Sequence, residues 1–204
     1  MNLGSVATDT LYLLALINPI SKISLLALFT TEQEKRELPL VALKASLFAC
    51  AILIAFAFGG DYILRAIFRV DLYSLQVAGG IVIFFVGYNA LAKGMFYDLD
   101  IRDRYREAAI VPLASPLIAG PATIAAVISM AANQGYAATT VPLLLALAVN
   151  LGFMLLAVPA GSFLRAHNMI GALIRLTGLI VATIGVQMAL AGLAVWLAAV
   201  HPAS

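Results

Sequence analysis

The chain is a succession of long apolar stretches with little between them. They fall at about 6–29, 40–66, 72–92, 109–131, 138–160 and 173–198, joined by connections at 31–38, 68–71, 93–107, 133–136 and 165–171. A helix needs roughly 20 mostly apolar residues to cross the hydrocarbon of a bilayer. Six such stretches in 204 residues leave no room for a separate soluble domain. Composition agrees, with 63% hydrophobic and 11% charged residues and a mean hydropathy of +1.04, where a soluble domain is about half apolar and a quarter charged. The chain is therefore expected to be an all-α, polytopic membrane protein with six transmembrane helices. Its first stretch, at 11–29, is too long for the apolar region of a signal peptide and is read as a retained helix. A net charge of +2 without a basic stripe gives no reason to expect a nucleic-acid partner. Cys50, the only cysteine, lies mid-span and excludes an internal disulfide.

The third connection alone is long and strongly charged. It divides a single membrane domain of residues 1–204 into a first half of about 1–95 and a second of about 109–204, with a charged loop at about 93–108. The halves resemble each other. Asn18-Pro19 matches Gly120-Pro121 at an offset of 102. Ile63-Leu64-Arg65-Ala66 matches Phe163-Leu164-Arg165-Ala166 at 100, and Ala90-Leu91-Ala92 matches Ala189-Leu190-Ala191 at 99. Gly80, Gly87 and Gly94 align with Gly178, Gly185 and Gly192 at 98. A unit of three spans ends on the side opposite to its start. The second half is then inserted upside down, giving two inverted three-helix repeats, an architecture of many secondary transporters. Lys and Arg fall ten on one side and two on the other, or seven against two when Lys22, Lys44 and Arg175 are set aside as span-end residues. The richer side is read as cytoplasmic, with both termini on the outer side of the inner membrane.

Spans 1 and 4 are each interrupted. Span 1 reads Asn18-Pro19-Ile20-Ser21. Span 4 reads Pro112-Leu113-Ala114-Ser115-Pro116, then Ala119-Gly120-Pro121-Ala122-Thr123. Proline inside a helix removes a hydrogen bond and clashes with the preceding turn. In lipid the freed carbonyls must find partners or line a protected cavity. An ordinary kink is the plainer reading of one such break. Breaks at matching places in two inverted halves instead point to a transport site. A helix that restarts after a break presents free N–H groups and a positive dipole end, which suit a carboxylate. The hydroxyls of Ser21 and Thr123 stand ready to add donors.

Other residues are weaker candidates. Asn89, Asn150 and Gln187 lie in spans 3, 5 and 6, where buried amides usually bond across helices; lining a site is the alternative. Lys22, one turn past the first break, suits an anionic group in a cavity, but near a span end the commoner behaviour is snorkelling to the interface. The glycines spaced by seven in spans 3 and 6 read as close-packing faces. No acid falls mid-span, so no carboxylate proton relay is visible. His167 and His201 lie outside the spans. No metal-ligand cluster, nucleophile triad or nucleotide loop occurs. Neither an enzyme nor a cofactor or metal is expected.

These residues resemble the MarC family (UPF0056-type) of bacterial and archaeal membrane proteins. That family carries an Asn/Asp-Pro-Ile/Leu-Gly motif in its first span and a Pro-Leu-Ala-x-Pro-x-x-x-Gly-Pro-Gly motif in its fourth. Here these are Asn18-Pro19-Ile20-Ser21 and the run from Pro112 to Ala122. The family's Arg-Ile-x-Gly-Gly of span 3 stands here as Gln76-Val77-Ala78-Gly79-Gly80. Its Arg-Leu-x-Gly and Val-Gln of span 6 are Arg175-Leu176-Thr177-Gly178 and Val186-Gln187. Ser21, Ala122 and Gln76 depart from the pattern. The resemblance implies six spans and a relation to exporters and transporters of small neutral amino acids. The expectation is a secondary transporter of a small solute, a neutral amino acid being favoured, in a lipid bilayer, with self-association left open. Its site is expected at Asn18, Pro19, Ile20, Ser21, Gly120, Pro121, Ala122 and Thr123, with Asn89, Asn150 and Gln187 contacting the rest of the solute, and access is expected to alternate as one half rocks against the other. A passive channel of the same fold and a non-transporting stress-response component are the alternatives.

Overall fold

The computed structural model of the chain describes residues 2–26, 32–94, 96 and 118–200. All secondary structure among them is helical. The charged loop beyond Phe96 and the Pro112–Pro116 part of the fourth-span motif lie outside the described residues. Helix α1 (Leu3–Ile17) starts behind Asn2, whose Oδ1 accepts from the Gly4 N–H at 3.3 Å. It stops at Asn18, and α2 (Pro19–Leu26) begins at once. Helix α3 (Glu32–Tyr62) continues into a π-helical turn, Ile63–Ile67. Helix α4 (Leu72–Lys93) ends on Gly94, which takes the left-handed conformation (φ 69°) and donates its N–H to the Ala90 carbonyl at 3.0 Å.

After the undescribed stretch come α5 (Pro121–Gln134) and α6 (Tyr136–Leu155), joined through Gly135 at φ 86°. Helices α7 (Ala157–Ala166) and α8 (Ile170–Val200) complete the chain. Among the described residues five segments are long and apolar enough to cross a bilayer: Leu3–Leu26, Lys35–Ile67, Leu72–Lys93, Tyr136–Leu155 and Ile170–Val200. The sixth expected stretch, 109–131, is described only from residue 118, and α5 is its described part.

Two boundaries differ from the sequence reading. The connection expected at 31–38 is helical from Glu32, because Glu, Gln, Lys, Arg and Leu are good helix formers and Pro39 does not end the helix. Span 5, expected to be continuous over 138–160, is interrupted at Leu156. Pro159 has no N–H for the Leu155 carbonyl and its ring crowds it, which stops α6 there.

Packing separates the helices into two bodies. One core is built from α1, α2, α3, α5, α6 and α7 and is rich in alanine. Ala42, Ala45, Ala49, Leu53 and Ala57 form its stripe on α3, at the three- and four-residue spacing of one helix face. No residue of α4 or α8 belongs to this core. Those two helices pack mainly against each other, in the most extensive interhelical contact among the described residues. The contact runs along the glycines. A Cβ on Gly80 would lie 2.5 Å from the Gly185 carbonyl oxygen, and one on Gly87 would lie 2.5 Å from that of Gly178. Moving seven residues forward on α4 moves seven back on α8, so the helices are antiparallel. Small residues let backbones approach where lipid supplies no hydrophobic drive to associate, and the packing role read for the glycines holds at Gly80, Gly87, Gly178, Gly185 and Gly192, whereas Gly94 serves as the cap of α4.

Candidate functional site

The first break is built from four successive residues. Pro19 has no N–H to continue α1, and Asn18 turns into the left-handed region at φ 55°. The Asn18 N–H still reaches the Leu14 carbonyl at 2.8 Å. Its Oδ1 accepts from the Ser21 N–H at 3.3 Å, and the Ser21 hydroxyl donates to the Asn18 carbonyl at 2.7 Å. Both side chains are buried. The restarted helix is thus capped from within. The Ser21 hydroxyl, expected to stand ready as a donor, is spent on Asn18.

The Ile17 carbonyl has no helical partner, because the Ser21 N–H one turn on is directed to Asn18. It accepts instead from Nζ of Lys22. Lys22 has no exposed surface at all. The expected snorkelling does not occur. Side chains on a helix lean toward its N-terminus, and this one folds back over the break.

At the second break Gly120 is the N-cap of α5 in extended conformation (φ −73°, ψ 165°), and Pro121 holds the first helical position. Gly120 accepts from the Ile124 N–H at 3.0 Å. Gly120 and Thr123 are buried and Pro121 is exposed. Ala122 packs against a small apolar cluster of Ile83, Ala125, Val181 and Met188, as do Leu16 and Leu75.

Two clefts lie where the α4–α8 pair meets the core. One, of about 280 Å³, is lined by Asn18, Pro19 and Ile20 at the break, with Phe153 of α6 and Thr177 and Val181 of α8. The other, of about 270 Å³, is lined by Tyr12 of α1, Gln76 of α4, Ser129 and Met130 of α5, and Gln187 and Met188 of α8. In this amide cleft Gln76 Nε2 donates to Ser129 Oγ at 2.5 Å, and Asn133 Nδ2 donates to the same oxygen at 3.3 Å. Gln76 Oε1 is buried without a hydrogen-bond partner among the described residues. The clefts meet α8 at different levels and share no lining residue: Val181 of the small apolar cluster lines one and Met188 the other.

The expected site residues therefore divide. Asn18, Pro19 and Ile20 line the break cleft and Gln187 lines the amide cleft. Ser21 is locked into the cap. Gly120, Pro121, Ala122 and Thr123 line neither cleft. Asn89 is exposed on α4. Asn150 is fully buried, but it does not bond across helices: Nδ2 reaches Met154 Sδ on its own helix at 3.4 Å, and Oδ1 has no partner among the described residues. The cross-helix amide bond falls at Gln76, known from the sequence only as a departure from the family pattern. Ser129 and Tyr12 carried no sequence signal, because single hydroxyls in apolar helices are commonplace. Among the described residues no group of His, Cys, Asp and Glu is placed to hold a metal ion.

Residues 4–197 match the family model for MarC family integral membrane proteins. The chain is 33% identical over 190 residues to a UPF0056 membrane protein of Pyrococcus horikoshii, covering 93% of this chain and 94% of that one. It is 33% identical over 192 residues to the UPF0056 membrane protein YvbG of Bacillus subtilis, covering 89% and 90%. It is 27% identical over 201 residues to the UPF0056 inner membrane protein MarC of Escherichia coli, again covering 89% and 90%. No solved structure matches the chain.

Proposed function

The chain belongs to the MarC family of integral membrane proteins, and from that premise we propose that it is a secondary transporter of a small solute, a neutral amino acid, across the cytoplasmic membrane. The observation that carries this reading is the pair of clefts at the boundary between the α4–α8 pair and the core. The amide cleft is edged by Gln76, Ser129 and Gln187, the break cleft is apolar apart from Asn18 and Thr177, and Met188 and Val181 of one small apolar cluster line one cleft each. Alternating access needs such an arrangement, with a central barrier and an approach to it from either side. Each cleft is of a size to admit a small zwitterion, and the broken helix beside Asn18 supplies the irregular backbone that solute sites in such folds use.

In this reading the six spans form two inverted repeats. The glycine seam supports it. Gly80 and Gly178 are repeat mates, as are Gly87 and Gly185, and exchanging the repeats turns the Gly80–Gly185 contact into the Gly178–Gly87 contact. The moving boundary is then drawn between the α4–α8 pair and the core rather than between the two halves. The inner membrane and the outward termini follow from the Escherichia coli relative's location and from the distribution of Lys and Arg.

The test is counterflow of labelled alanine in proteoliposomes. Saturable exchange above protein-free vesicles is expected. Identical flux with and without protein removes the proposal, and flux that never saturates replaces it with the channel.

A further inference from the structure

This inference rests on the transport reading and concerns what powers it. In transporters with broken helices, the coupling cation is held by unwound backbone carbonyls and by the C-terminal ends of half-helices. In this chain such a position is occupied by part of the protein. Nζ of Lys22 donates to the carbonyl of Ile17, the last residue of α1, and among the described residues Lys22 is the largest fully buried side chain. The break creates the acceptor: Pro19 has no N–H to offer, and the Ser21 N–H is turned to Asn18. The end of α1 carries a partial negative charge of about half an electron, which favours a cation. An ammonium at membrane depth is costly, and near a span end reaching for the interface would relieve that cost. That Lys22 turns inward argues for a role other than anchoring.

Among the described residues the helices packed around Lys22 offer no carboxylate. Helix α2 packs on α6, α7 and α8, and none of them contains an acid. Their titratable groups are Tyr136 on α6, Arg165 on α7 with His167 at its cap, and Arg175 on α8, all exposed. On α1 the groups are Tyr12 and Asp9, the latter nine residues and about 13 Å before the break.

We propose that Lys22 is the coupling centre of the transporter. Its ammonium stands in place of a bound sodium ion, and once per cycle Nζ takes a proton from water on one face and releases it to water on the other. With one proton per solute, a gradient of one pH unit sustains about a tenfold alanine ratio across the membrane.

The experiment uses the full chain in proteoliposomes with labelled alanine, comparing an imposed pH gradient with an imposed sodium gradient. Wild-type protein is expected to accumulate alanine on the pH gradient and to ignore sodium. Lys22→Gln is expected to exchange alanine, at whatever rate, while its accumulation ratio falls to about one, where a downhill carrier settles. Lys22→Arg keeps the charge but does not release its proton, and it is expected to behave like Lys22→Gln. Accumulation driven by sodium, or pH-driven accumulation retained by Lys22→Gln, overturns the assignment. Wild-type counterflow with no response to pH also overturns it and leaves transport standing, whereas absence of counterflow removes both.

Discussion

Asn18 meets two demands at one position. The residue before Pro19 must leave the helix, and the residue that caps α2 must offer an acceptor to the Ser21 N–H. Asparagine tolerates the left-handed region better than other residues with side chains, and its Oδ1 provides the acceptor. Alanine meets neither demand. Asn18→Ala is expected to cost about 2 kcal/mol, roughly half from the left-handed backbone and half from the lost cap. Asn18→Gly removes only the cap and should fall between Asn18→Ala and wild type. Thermal unfolding in detergent micelles checks the order of the three, and an Asn18→Gly protein no more stable than Asn18→Ala contradicts the backbone argument.

At the scale of elements, the α4–α8 seam is the feature most exposed to test. These helices are apolar on nearly every face, so their pairing rests on close approach and not on a hydrophobic stripe. Gly80 sits where a Cβ would press on the Gly185 carbonyl and the Ala189 backbone, and backbone cannot rotate away as a side chain can. Gly80→Ala is expected to destabilise by about 1–3 kcal/mol through overpacking. Gly152 on α6 has no atom within 4 Å of an added Cβ. Gly152→Ala should be neutral or stabilising by up to about 1 kcal/mol, because alanine restricts the unfolded chain and favours the helix. Opposite shifts in melting temperature for these two like substitutions are the expected outcome. A Gly80→Ala protein as stable as wild type would show that the seam is looser than drawn.

At the scale of the molecule, two bodies meet along one boundary, and the proposed cycle moves one against the other. The clefts offer reporters at either end of that movement: Thr177 in the break cleft and Gln187 in the amide cleft. In a Cys50→Ala background, single cysteines at these positions are expected to react with a membrane-impermeant thiol reagent added from opposite sides. Saturating alanine should raise the reactivity of one and lower that of the other. Parallel changes at both positions, or none, would sink the two-body movement.

The sequence by itself determined what is local. Apolar runs of membrane-spanning length place the spans, because water cannot solvate them and lipid leaves helix as the form that satisfies its own backbone. Asn18-Pro19 marks a true break, because a missing N–H acts on the residues beside it. Glycines spaced by seven mark a packing face. The tertiary structure alone decided which surfaces meet. In lipid nearly every helix face is apolar, so nothing in the order of residues tells α8 to choose α4 and leave the alanine-rich core to the other spans. Nor does it bring Gln76 of α4 to Ser129 of α5, or turn Lys22 inward onto the Ile17 carbonyl. Those outcomes depend on the shape of the space left between packed helices, which exists only once the helices are assembled.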